Sequence, residues 1–136
     1  MTKQIWLNLP VKDAMKSKDF FSKIGFRFLE ERTTPDSACM LVGEGNFVIM
    51  LFSEDMFQNF ISHPITDTKQ SSEFLISIDA ENREEVDVIA ENVKNAGGTV
   101  FGEPGENQDW MYGCGFCDID GHRWNVLHMD FSKMPQ

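Results

Sequence analysis

The sequence predicts an α+β fold: two βαβββ modules forming one curved mixed sheet with a central cleft, with helices on the outer face. Three observations predict it. Two amphipathic helical stripes occur, each preceded by one strand-like run and followed by three. Matched elements of the two halves repeat at a spacing of roughly 70 residues. Each stripe is apolar on one side only, so it must cover one face of a sheet, and the other face is left for a ligand-sized cleft.

The first module is expected over residues 1–52. Residues 5–11 form a strand-like run. Asp13 can cap the helix that follows, in which Ser17, Phe20, Phe21 and Ile24 recur at i, i+3, i+4 and i+7. Gly25 supplies the stop. Three strands are expected next, over 26–31, 38–42 and 47–52. The Gly43-Glu44-Gly45-Asn46 turn suits a hairpin between the last two.

Residues 53–72 connect the modules. That is long for a structureless connection, and Phe57, Phe60 and Ile61 have the spacing of one helical turn. The segment reads as a linker whose apolar residues patch the core; a lid is the alternative.

The second module is expected over 73–130, with a tail over 131–136. Its first strand is 73–79, with Phe74, Ile76 and Ile78 on one face. Asn82 caps a helix, and Glu85 follows at the capping-box position. Val86, Ile89, Ala90 and Val93 form the stripe, and Gly97-Gly98 ends it. Strands are expected over 99–102, 110–117 and 123–128. The stretch from Gly102 to Asn107 reads as a flexible turn and matches no phosphate-cradling motif.

Composition narrows the function. Twelve Lys and Arg against 22 Asp and Glu give a net charge of −10. Such a field repels nucleic acid and anionic membrane, but a local pocket can still take an anionic small molecule. No stretch is long and apolar enough to span a membrane, and the N-terminal residues lack a signal-peptide pattern, so the expected location is cytoplasmic. Three cysteines, Cys39, Cys114 and Cys117, are expected to be reduced thiols.

Near the end, Asp118-Ile119-Asp120-Gly121-His122-Arg123-Trp124 is a turn that runs into an alternating strand. With Asn8-Leu9-Pro10-Val11-Lys12-Asp13 and Phe20-Phe21-Ser22-Lys23-Ile24-Gly25-Phe26, it resembles the vicinal-oxygen-chelate superfamily of glyoxalase I, bleomycin-resistance proteins and extradiol dioxygenases. More narrowly, the Arg83-Glu84-Glu85-Val86-Asp87 and Met111-Tyr112-Gly113 segments resemble a bacterial group of predicted lactoylglutathione lyases. The resemblance covers nearly the whole chain.

The resemblance implies one divalent ion held by four inward-facing residues, usually His, Gln or Glu. By motif, those positions fall on Trp6, Met50, Glu73 and Asn125, the last where a Glu is expected. Trp offers only an N–H, Met is a soft donor, and Asn a neutral carbonyl; Glu73 alone is a strong ligand. No metal or other cofactor is therefore expected, a divalent ion being the disfavoured alternative. Glu73 instead becomes the candidate general base, if an apolar setting raises its pKa; a solvated carboxylate is the alternative.

If the strands are regular, Trp6, Asn8, Met50, Phe52, Glu73, Leu75, Asn125 and Leu127 share the cleft face, with Trp110, Tyr112 and Phe116 as walls. A filled interior with no ligand is the competing reading. Cys114, Cys117, His122 and His128 have a loose zinc-knuckle spacing, but Cys114 and Cys117 should point to opposite faces of one strand, so two small buried thiols are expected instead. His63 is expected to be exposed, His122 structural or solvated, and His128 on the helix-facing side.

The expected function is to bind a small organic molecule in an aromatic cleft, as bleomycin-resistance-like members do. The alternatives are a glyoxalase-type lyase or isomerase using Glu73, and a non-catalytic interaction module. By the resemblance, a homodimer is expected.

Overall fold

The structure, a computed structural model, describes residues 1–135. The chain divides into two compact units, Met1–Thr66 and Asp67–Gln136. Each unit contains a βαβββ module with its own four-stranded mixed sheet and a helix packed on one face. The hydrogen-bonded ladders are therefore two, one per module.

The first unit runs β1 (Leu7–Val11), α1 (Ala14–Lys23), β2 (Arg27–Phe28), β3 (Ser37–Val42), β4 (Phe47–Ser53) and α2 (Glu54–Ile61). Its sheet order is β1-β4-β3-β2, with β1 parallel to β4 and the other pairs antiparallel. The Asp13 carboxylate accepts the Met15 and Lys16 amides at 3.0 and 3.2 Å and so starts α1. Ala14, Ser17, Phe20, Phe21 and Ile24 are buried, the periodicity having placed them on one stripe. Phe21 packs edge-on against both Phe20 and Phe26. Across the layer lie Leu9, Val11, Ala38, Met40, Ile49 and Leu51, all buried.

One expectation changes in this unit and another is met. The strand expected over 26–31 is only two residues long and gives way to a 3-10 turn at Glu30–Arg32. Three consecutive charged residues offer no alternation for a ladder, and the Lys18–Glu30 ion pair draws the chain towards α1. The connecting segment begins with α2, as the Phe57, Phe60 and Ile61 spacing implied, and Ser62 in a left-handed conformation ends it.

The second unit runs β5 (Ile76–Asp79), α3 (Arg83–Ala96), β6 (Thr99–Asn107), β7 (Met111–Cys117) and β8 (Arg123–Met129). The order is β5-β8-β7-β6, with β5 parallel to β8. The Asn82 side chain accepts the Glu85 amide at 2.8 Å, and Gly97, with φ 100°, closes α3. Val86, Ala90 and Val93 pack over Phe116, Trp124 and Val126, all buried. The Phe116 and Trp124 rings stack at 5.9 Å.

The strand expected from Glu73 begins only at Ile76, so Glu73 and Leu75 precede the ladder and are exposed. The stretch from Gly102 to Asn107 is a strand and not a turn. It survives with Pro104 because β6 is the sheet edge, where a missing amide donor is tolerated. Nine residues of β6 face seven of β7, through two one-residue irregularities, between Val100 and Gly102 and between Gly102 and Gly105. The expected tail contains a 3-10 turn at Phe131–Lys133; Gln136 lies outside the described residues.

Candidate functional site

The Asp118 turn closes around its own buried carboxylate. Asp118 is 4% exposed. Its Oδ1 accepts the amides of Asp120 and His122 at 2.9 and 3.0 Å, and its Oδ2 accepts the Trp124 indole N–H at 3.1 Å. Burial pushes the Asp118 carboxyl above its ordinary pKa, opposed by the neighbouring His122 and by the indole hydrogen bond. The residues that signal the family thus fold into a device that sets where β8 starts.

From that start, alternation decides which side chains are available. Trp124 and Val126 face α3; Arg123, Asn125 and Leu127 face the other way. Register adds Ser77 and Asp79 from β5 and Gly113, Gly115 and Cys117 from β7 to that helix-free face. Phe101 lies there too. A Cβ on Gly115 would come within 2.6 Å of the Phe101 ring, so the ring occupies the space that glycine leaves. The Arg123 guanidinium sits over the same ring, 4.5 Å from its centroid.

The corresponding face of the first sheet carries Asn8 in register with Met50, Met50 in register with Cys39, and Phe52 in register with Ser37. Phe60 of α2 meets the Phe52 ring edge-on at 5.1 Å. Trp6 precedes β1 and is exposed.

The expected pocket residues fall in both units. Asn8, Met50 and Phe52 share one face of the first sheet, and Asn125 and Leu127 one face of the second. Tyr112 and Phe116 are not walls of that second face: they alternate with Gly113 and Gly115 and point to the α3 side. Phe116 is fully buried on Trp124, and the Tyr112 hydroxyl donates to Asp87 of α3 at 2.6 Å. Trp110 precedes β7 and packs against Phe131. His128 lies on the helix-facing side, its Nδ1 3.2 Å from the Ala80 carbonyl.

Sequence reasoning missed Phe101, Arg123 and Ser77. Arg123 and Ser77 were within reach, since both alternate in step with Asn125 through the parallel pair. The Phe101 position depends on the irregularity after Val100, which has no sequence signature of its own.

Cys114 faces α3 and Cys117 the opposite side, and among the described residues no three His, Cys, Asp or Glu side chains group to hold an ion. Burial pushes the Cys114 thiol up to about 11. The Cys117 thiol is also raised by burial, but the Arg123 charge draws it back. At pH 8 the native protein is expected to alkylate at Cys117 well before Cys114, because only thiolate reacts. Peptide mass spectrometry after brief iodoacetamide treatment checks this, and equal labelling would contradict it.

The family's divalent ion does not suit the donors at its motif positions. Trp6 has no lone pair to offer, Met50 is a soft thioether and Asn125 a neutral amide, leaving Glu73 as the single anionic ligand. Glu73 is exposed and outside β5.

Two βαβββ modules in one chain, each with a four-stranded mixed sheet and a packed helix, match a known class of fold. The chain belongs to the Glyoxalase/Bleomycin resistance protein/Dioxygenase superfamily, whose match spans residues 3–126. It is similar to the solved structure of a hypothetical protein from S. aureus, at 33% identity and a TM-score of 0.83, covering 94% of each chain. It also resembles a glyoxalase/bleomycin resistance protein/dioxygenase family enzyme from Burkholderia phytofirmans, at 18% identity and TM-score 0.76, over 92% of this chain and 97% of that one. A glyoxalase-related enzyme from Fulvimarina pelagi matches at 17% identity and TM-score 0.79, over 93% and 88%. The last two likenesses concern the fold alone. No curated protein matches the chain.

Proposed function

We propose that this protein binds a small organic molecule without the divalent ion used by metal-dependent relatives. The observation that carries the reading is the helix-free face of the second sheet. It combines a half-exposed aromatic ring, Phe101, and the apolar Leu127 with a few polar groups, chiefly Asn125 and Ser77. Apolar surface with sparse polar groups is the usual composition of a small-molecule site. Asn125 holds the place of the expected metal-binding carboxylate, which supports binding over Lewis-acid chemistry.

A thermal-shift screen with small aromatic compounds tests the binding, since any ligand above its dissociation constant stabilises the fold. Saturable shifts of several degrees are expected. Metal analysis after purification without chelator tests the second half: substoichiometric Zn²⁺ and Ni²⁺ are expected, and one ion per chain that disappears in Glu73→Gln would overturn it.

A second reading has one observation in its favour. The two segments that resemble the predicted lactoylglutathione lyases meet in space. Arg83 lies over the Tyr112 ring, 5.0 Å from its centroid, and pairs with Glu106, while Tyr112 donates to Asp87. That cluster ties α3 to the β6–β7 hairpin, and the reading rests on the resemblance of the two segments it joins. A lyase activity would then use Glu73 as base, and turnover of hemithioacetals abolished by Glu73→Gln would establish it. A homodimer in the cytoplasm accompanies both readings by analogy; a monomeric mass in light scattering would refute the dimer.

A further inference from the structure

We propose that the ligand is an anion, a carboxylate or enolate on a planar framework, and that Arg123 is its anchor. This rests on the binding reading above and names the class of molecule that the second module selects.

Arg123 is exposed and projects from the same face as Asn125 and Leu127. It takes no part in the ion pairs that join Lys18 to Glu30, Lys23 to Asp19, Arg83 to Glu106, and Lys94 to Glu91 and Glu103. Its position is nonetheless defined, because the guanidinium lies on the Phe101 ring and that ring is seated on Gly115. That contact engages the ring face, and the guanidinium still presents a fork of N–H donors matched to two oxygens. A long cation is thereby held in one orientation before ligand arrives, which lowers the entropy lost on binding.

The surroundings favour the same class. Gly115 and Arg123 border Asn125 and Cys117 in the register, so amide and thiol groups lie next to the cation. The acidic residue on this face, Asp79, pairs with Leu127 at the other end of β8. Four residues of strand separate it from Arg123, roughly 13 Å. The face is therefore polarised, cationic at Arg123 and anionic at Asp79, on a chain whose net charge is −10. That polarity admits an anion in one orientation, with its planar body towards Leu127.

The test uses the intact chain and a panel of aromatic carboxylates on benzene, naphthalene, indole and quinoline frameworks, each matched with its neutral carboxamide. Affinities are measured by NMR titration, which also follows the Arg123 side-chain N–H and the Gly115 and Asn125 amides. The expected result is at least tenfold preference for the carboxylate in the best pair, with those signals moving. Arg123→Met is expected to reduce the preference to within about twofold, and Arg123→Lys to retain part of it. Circular dichroism confirms that each variant is folded. Binding of carboxylate and carboxamide with equal affinity, or an undiminished preference in Arg123→Met, overturns the anion assignment while leaving the binding reading in place. Absence of binding by every compound overturns both.

Discussion

Asp118→Ala is expected to destabilise the protein by roughly 2–5 kcal/mol, since each buried donor left without its acceptor costs about 1–3 kcal/mol. The substitution leaves the Asp120 and His122 amides and the buried Trp124 indole without their common acceptor. Asp118→Asn separates the contributions. One amide oxygen can still serve both backbone donors, but the NH2 group then faces the indole N–H. A cost of about 1–3 kcal/mol follows from two opposed donors. In a Trp124→Phe background that opposition vanishes, so Asp118→Asn should cost distinctly less there. Urea unfolding of the four proteins gives the cycle. Equal costs in both backgrounds would show that the indole bond is not what holds the turn.

Gly121→Ala is the second large effect. Gly121 has φ 85°, in the left-handed region, which costs a residue with a Cβ about 1–2 kcal/mol. The added carbon would also run into the Thr68 side chain, whose hydroxyl donates to the Asp120 carbonyl at 2.6 Å. Thr68 must move and that bond must break, so a total loss of roughly 2–4 kcal/mol is expected. Thr68→Ala relieves the collision but not the backbone strain. The double variant should therefore recover part of the loss relative to Gly121→Ala alone, as thermal unfolding would register. A double variant less stable than Gly121→Ala would refute the steric account.

Much of the architecture was legible because periodicity and capping are local. Asp13 and Asn82 start their helices as expected, the Phe20–Phe21 and Val86–Ala90–Val93 stripes are buried, and the strand–helix–strand order repeats. Strand limits were less legible. Glu73 alternates correctly with Leu75 and Ser77, yet only residues from Ile76 onwards find a partner on β8. Pairing is a property of two segments, and one segment's pattern does not contain it. The same reasoning explains the site residues. Asn125 and Leu127 could be placed from alternation in β8, whereas Tyr112 and Phe116 were assigned to the wrong side. Their register against His128 and Trp124 decides the matter, and it is set across the sheet. The long-range meeting of Arg83, Asp87 and Tyr112 was invisible for a related reason: their segments were noticed separately, as motifs, with nothing to say that they touch.

The two extra residues of β6 have a consequence for how this module can change its length. Each irregularity shifts the pairing by one, and the two together restore the alternation, so that Glu106 reaches Arg83 on the α3 side. Losing a single residue between Val100 and Gly105 would turn the end of the hairpin over and carry Glu106 away from its partner. Losing two would keep that ion pair, while closing the gap in which Phe101 meets Gly115. Relatives that differ in this segment should therefore differ by pairs of residues. Such a pair would remove the aromatic seat of Arg123 in one evolutionary step, so a count of residues in β6 would foretell a change of ligand before any side chain is compared.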